Sequence, residues 1–145
     1  MRVYWVNRRL AFGSIIKTWN DVESLRDSGF THVINLLKHR NGKKIRQFDS
    51  LWLPFRDDKK PRPKWFYKRA LKFHKRASRK KGSKLLVMCY HGRSRSASLA
   101  YFLLRSSGMA TGTAETKIRV ARWNAMLPRA YRESCESFLL KTPVL

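Results

Sequence analysis

An α/β fold, with a central, mostly parallel twisted sheet of about five strands flanked by helices, is what this chain predicts. Three observations carry the prediction. Short apolar runs rich in branched residues, such as Thr31–Leu37 and Lys84–Met88, alternate with longer segments whose apolar residues recur at helical spacing. Glycines or an Asn-Gly pair punctuate the boundaries, at Gly29, Asn41-Gly42, Gly82 and Gly108. The apolar runs do not alternate with polar residues, as expected of strands covered on both faces.

The elements follow in order. Val3–Val6 and Leu10–Phe12 read as short strands around Asn7-Arg8-Arg9. Asn20 caps a helix to about Ser28, with Glu23 completing a capping box and Gly29 ending it. Thr31–Leu37 is a buried strand, residues 38–48 a basic loop, and Ser50–Pro54 a strand leading into the Pro-bounded segment Phe55–Pro61, which reads as mobile. From Lys64 to Lys80, Phe66, Ala70, Phe73 and Ala77 recur on one helical face with cations on the others. Gly82 closes that helix and Lys84–Met88 is the next strand. Ser96–Ser107, Thr113–Trp123 (capped by Thr113) and Pro128–Leu140 are three further helices. Aromatic residues are numerous, five tryptophans among them, and most are expected in the core, with Tyr90 placed to shape the entrance of its loop.

At 145 residues the chain has the length of one domain, 1–145, with one substantial core. No apolar stretch reaches the ~18 residues of a membrane span, and the first residues lack the apolar run of a signal peptide. Two cysteines, Cys89 and Cys135, are too few for a disulfide framework or a structural zinc site. Cys135 sits in a helical pattern with Tyr131, Phe138 and Leu139, as a small buried residue does. The net charge is +24, and it is concentrated: 13 Lys or Arg lie between Arg56 and Lys81, against Asp57 and Asp58 alone. A second cluster runs through Lys38, Arg40, Lys43, Lys44 and Arg46. Loops that follow parallel strands gather at one edge of the sheet, so both clusters are expected near any site there, where they would concentrate polyanions.

The chemistry is densest at residues 89–96, Cys-Tyr-His-Gly-Arg-Ser-Arg-Ser, where a buried strand hands over to a helix. The thiolate is the nucleophilic form of cysteine, and helix N-termini and nearby cations favour it. The amides of Tyr90, His91, Gly92, Arg93 and Ser94 can curl into a nest of donors for phosphate oxygens. Gly92 permits the turn. The planar fork of Arg95 suits two phosphate oxygens at once. Ser96 offers a hydroxyl to the departing thiolate.

The Cys-x-x-Gly-x-x-Arg-Ser loop resembles the signature of the cysteine-dependent phosphatases, and their dual-specificity branch in particular. The resemblance extends along the chain. Tyr4-Trp5-Val6 with Leu10–Ser14 is similar to that branch's opening hairpin, Gly29–Leu36 to its helix-to-strand entry, and Ala121-Arg122-Trp123 through Pro128 to its closing helical segment. It implies a dual-specificity phosphatase-like fold and a phosphocysteine mechanism needing no metal or cofactor. One position departs: the family usually has His before the nucleophile, where it helps to set the thiol's environment, and this chain has Met88.

Such a reaction also needs an acid for the leaving oxygen. Nine acidic residues are available. Asp21, Glu23 and Asp27 belong to the first helix, Glu115 to the first turn of a later one, Glu133 and Glu136 to the last, and Asp49 to a strand entrance. Asp57 and Asp58 remain, on the loop after a strand. In the family the acid sits on such a loop, three residues after a proline, which favours Asp57, three after Pro54 and 32 before Cys89.

The resemblance implies hydrolysis of phosphotyrosine and phosphoserine or phosphothreonine on proteins, in a reducing cytoplasm. The basic clusters suit a second reading, a phosphatase of polyanions such as an RNA 5′-triphosphate or a phosphoinositide. A third is a module that binds phosphorylated ligands without hydrolysing them.

Overall fold

A computed structural model describes residues 1–141. Five strands, β1 (Val3–Trp5), β2 (Leu10–Gly13), β3 (His32–Asn35), β4 (Asp49–Trp52) and β5 (Leu85–Met88), form one sheet in the order β1-β2-β5-β3-β4. The first hairpin pairs antiparallel; β2 with β5, β5 with β3 and β3 with β4 pair parallel. Around the sheet lie α1 (Trp19–Asp27), α2 (Lys64–Ser78), α3 (Arg95–Ser106), α4 (Thr111–Ala121) and α5 (Arg129–Lys141), with a 3₁₀ turn at Ile45–Gln47.

The pleat divides the core in two. Leu10, Phe12, Ile34, Leu85 and Val87 point into a large cluster with the apolar faces of α2, α3, α4 and α5. Ala11, Val33, Leu86 and Met88 point the other way, onto Val22 and Leu25 of α1 and onto Ile45 and Phe48. Strands β2, β3 and β5 are therefore buried along their whole length, which is why their sequences do not alternate. The order places β5 between β2 and β3, so the loop after Met88 emerges between the ends of two neighbours. The pairing also runs past the strands: Cys89 N–H donates to Gly13 O (3.2 Å), Leu36 N–H to Met88 O (2.9 Å) and Leu53 N–H to Asn35 O (2.8 Å).

Several local expectations are revised. The capping box of α1 is Thr18 with Asp21, not Asn20 with Glu23: Thr18 Oγ1 accepts from Asp21 N–H at 3.1 Å, and Asp21 Oδ2 accepts from Thr18 N–H at 3.0 Å. Asp21 also accepts from Lys17 N–H at 2.8 Å, so the two-residue shift gathers three bonds that Asn20 could not make. Helix α4 starts at Thr111 rather than Thr113, with Ala110 extended before it and no side-chain cap. Glu115 consequently lies past the first turn, where it pairs with Arg119 and Arg132. The eight phenylalanines are all buried, yet none of the five tryptophans is. Phenylalanine carries no polar atom to satisfy, whereas an indole N–H must find a partner or water. Trp52 finds one in Leu37 O (2.8 Å), while Trp19, Trp65 and Trp123 stay on the surface. Among the described residues no helix is long and apolar enough to cross a membrane.

Candidate active site

Residues 89–94 leave β5, turn, and enter α3 at Arg95. Within this turn Cys89 is buried, and two groups lie on its sulfur: Gly92 N–H donates to Sγ at 3.2 Å and Ser96 Oγ stands 3.1 Å away. Gly92 has φ +65°, and a Cβ on it would meet the backbone of Gly13 at 2.7 Å, so both the turn and the strand behind it require glycine here.

The turn is held in shape from outside. Arg122, just past α4, donates through Nη1 to His91 O (2.9 Å) and Gly92 O (2.7 Å), and Met126 N–H donates to Arg93 O (2.8 Å). A trans peptide points its C=O and N–H in opposite directions, and among the described residues no peptide bond is cis. The carbonyls of His91, Gly92 and Arg93 are all held by the segment after α4, so the N–H groups that follow them turn away from that segment, and the Gly92 N–H lies on the sulfur. Such a cup suits an anion bearing several oxygens.

Arg95 Nη1 donates to Phe55 O at 3.1 Å, which ties the start of α3 to the loop after β4. A cavity of about 390 Å³ opens over the sulfur, lined by Cys89, Arg95, Asp57, Lys59, Arg93 and Arg122 together with His91, Ser94 and Met126. An adjoining cavity of about 590 Å³ shares Asp57 and Arg95 and is walled by Ile15, Leu37, Phe55 and the half-exposed ring of Tyr90. All nine sequence-derived residues, Cys89 to Ser96 and Asp57, thus lie in or against one region.

The two aspartates differ in what they face. Asp57 lines both cavities, and its Oδ1 accepts from the buried Tyr131 hydroxyl at 3.2 Å. Asp58 turns to Lys60 N–H (2.9 Å) and the Arg62 guanidinium (2.6 Å). Those two partners, the backbone N–H first, hold the Asp58 carboxyl below its ordinary range. The loop read as mobile is tied down: Tyr131 OH also accepts from Lys59 N–H (2.7 Å), and Arg62 N–H donates to Ser134 Oγ (3.2 Å). Burial, with Asp57 adding to it, raises the Tyr131 hydroxyl above its usual range, so it remains a donor.

Met88, in place of the family's histidine, is fully buried on the α1 side and its Sδ accepts from Ile16 N–H at 3.3 Å. Cys135 is buried in the other core, and that burial pushes its thiol up. Among the described residues no group of His, Cys, Asp or Glu converges as metal ligands would. Sequence reasoning overlooked Arg122 and Tyr131 as parts of the site. Arg122 carried a faint signal in the family-like closing segment; Tyr131, 74 positions from Asp57, carried none.

The family model for the dual specificity phosphatase catalytic domain matches residues 15–134. No curated protein sequence matches. Among solved structures, Tk-PTP in its active form is similar with a TM-score of 0.81 and 18% identity, covering 97% of each chain. PTPMT1 in complex with PI(5)P is similar at 0.81 and 18%, covering 94% of this chain and 93% of that one. The human tyrosine phosphatase-like serine/threonine/tyrosine-interacting protein follows at 0.78 and 19%, covering 95% of each. These likenesses establish the fold, from the hairpin to the last helix. Because the family model matches residues 15–134 in one stretch, from before α1 into α5, the chain belongs to the dual specificity phosphatase family and is a phosphatase by class.

Proposed function

We propose that this chain is one catalytic domain that hydrolyses phosphate monoesters through a phosphocysteine, on phosphotyrosine and phosphoserine or phosphothreonine of protein substrates in a reducing cytoplasm. One observation carries the reading: the Cys89 sulfur accepts from the Gly92 N–H in a cavity that Arg95 and Asp57 also line. The Cys89 thiolate attacks phosphorus, and the bond to the leaving oxygen breaks as Asp57 gives that oxygen its proton. Arg95 and the amides of residues 90–94 stabilise the equatorial oxygens as charge builds on them. Asp57, now a carboxylate, takes a proton from water as the water attacks the phosphocysteine; inorganic phosphate leaves and the thiolate returns, met by the Ser96 hydroxyl. Cys89→Ser should abolish phosphate release from para-nitrophenyl phosphate and from phosphopeptides. Retained hydrolysis sinks the mechanism.

The polyanion reading keeps every one of these roles and changes the substrate. Lys59, Arg93 and Arg122 line the cavity besides Arg95, more positive charge than one phosphate dianion needs. The structural neighbour PTPMT1 was crystallised with PI(5)P, which shows that the fold admits an inositol lipid in that protein. Turnover of a phosphopeptide, a phosphoinositide and a 5′-triphosphorylated RNA, each at two salt concentrations, separates the readings. The non-catalytic reading is disfavoured because Cys89, Arg95 and Asp57 share the cavity; binding without phosphate release would restore it.

A further inference from the structure

Helix α2 differs from every other helix of the molecule in its charges. Residues 64–81 hold nine Lys or Arg and no Asp or Glu. By contrast, Glu115 pairs with Arg119 within α4, and Glu133 with Arg129 within α5. The apolar side of α2 (Phe66, Tyr67, Ala70, Phe73, Ala77) is spent on the core. Lys64, Lys68, Lys72, Lys75 and Arg79 are exposed, and their steps of four and three put them on a single face. They make a line about 22 Å long, from 15 residues at ~1.5 Å each. Among the described residues Arg76 and Lys80 have a carboxylate partner, Asp49, whereas none of those five does.

The arrangement opposes the helix that carries it. Like charges at i,i+4, as in Lys64/Lys68, Lys68/Lys72 and Lys75/Arg79, repel each other and destabilise a helix. The first turn also lacks the acidic residue that would favour its N-terminus, and Pro63 supplies no side-chain cap. A ligand bearing the missing negative charge in a line would relieve both.

We infer that the α2 face is a binding track for a single strand of nucleic acid, separate from the catalytic cavity. Five of the nine cations run in a line along the length of the helix, which fits a polymer with one charge per residue. Apart from the single Trp65 ring, the large apolar side chains of α2 face the core, which leaves no apolar stripe for insertion into a lipid layer. At the start of the track the Trp65 ring is 52% exposed, a platform on which a base can stack. The inference stands whether or not the catalytic reading holds, because it requires neither Cys89 nor Asp57.

The test is fluorescence anisotropy with 5′-hydroxyl 12-mer oligonucleotides of RNA and of DNA, titrated with the full chain at several salt concentrations. The track variant is Lys68→Gln/Lys72→Gln/Lys75→Gln/Arg79→Gln. A control removes the same charge elsewhere, as Arg2→Gln/Arg8→Gln/Lys117→Gln/Lys141→Gln. The track variant should bind at least ~10-fold more weakly and lose about 3 from its salt slope, at ~0.7 per contact for single strands. The control should stay within about threefold of the parent chain, and both variants should keep parental turnover of para-nitrophenyl phosphate. RNA and DNA binding alike, or either alone, supports the track provided the loss is confined to the track variant. Equal losses in both variants would mean that net charge alone binds, and would overturn it. So would absence of binding at 0.15 M salt, or retention on phosphatidylserine vesicles stronger than on either oligonucleotide. Glutamine is a good helix former, and removing like charges should leave the melting temperature equal or higher.

Discussion

Asp57 and Asp58 are adjacent in sequence and opposite in circumstance. The carboxylate of Asp58 is occupied by Lys60 and Arg62, while Asp57 opens onto the cavity with a tyrosine hydroxyl at its back. Asp57→Asn should lower kcat on alkyl phosphates, including phosphoserine peptides, by about 10²–10⁴-fold. On an aryl phosphate, whose leaving group needs little protonation, the loss should stay within about tenfold. Equal losses on both classes, or a larger effect from Asp58→Asn, would move the acid elsewhere. Arg122 acts one step removed, through the carbonyls it holds. Arg122→Ala should cost about 10²-fold in kcat and weaken inhibition by inorganic phosphate by about tenfold, because the loop amides lose their alignment. The melting temperature should move little, and Arg122→Lys should recover only part of the loss, since an ammonium cannot reproduce the planar fork. A phosphate affinity unchanged in Arg122→Ala would reduce that residue to packing. At this scale the sequence exposed the members of the loop itself, because they fall within one turn and their proposed roles follow from residue type. It was silent on Tyr131, whose part depends on where α5 packs.

A strand, a turn and a helix N-terminus make the phosphate-type loop, and glycine at its apex is what lets them meet. Gly92→Ala combines a left-handed backbone, worth about 1–2 kcal/mol against a non-glycine residue, with a Cβ 2.7 Å from the Gly13 backbone. The loop must then retreat from β2, taking an amide off the sulfur. Activity should fall at least ~10-fold, with folding retained. Activity within twofold of the parent would show that the close approach of Gly92 to β2 is dispensable. The elements were largely legible from periodicity and punctuation: all five strands and five helices are present, with ends shifted by up to two residues. The errors cluster at caps. Asn20 and Thr113 both have the right chemistry, but a cap is selected by which side chain meets free N–H groups, and for α1 that is Thr18, backed by Asp21. The N-terminus of α4 has no side-chain cap, so no residue there announced it.

Across the whole molecule, charge and buried histidines set the response to conditions. His74 on α2 is kept neutral by burial first and by the Arg9 guanidinium second, which lower its pKa from 6.5 to about 4. Its folded value lies below its unfolded one, so between those values the unfolded chain binds the extra proton. Stability should therefore be flat above about pH 6.5 and fall as the pH drops toward 4. His32, also lowered by burial, acts in the same direction. Thermal unfolding of His74→Gln should show a shallower decline over that window than the parent chain. Parallel curves would remove His74 as a cause.

The central linkage of this protein is written in a contiguous stretch: an apolar strand, a cysteine, a glycine turn and an arginine at the head of a helix. Neighbours along the chain cannot be far apart in space, so residue type and spacing were enough to single out Cys89 as the proposed nucleophile and the turn that folds around it. The parts that come from a distance were invisible for the converse reason. Which aspartate faces the sulfur, which arginine holds the loop carbonyls and which aromatics leave the core are set by the packing of α4 and α5 against the sheet. Residues 31 and 74 positions apart become partners there, and no local pattern encodes that meeting.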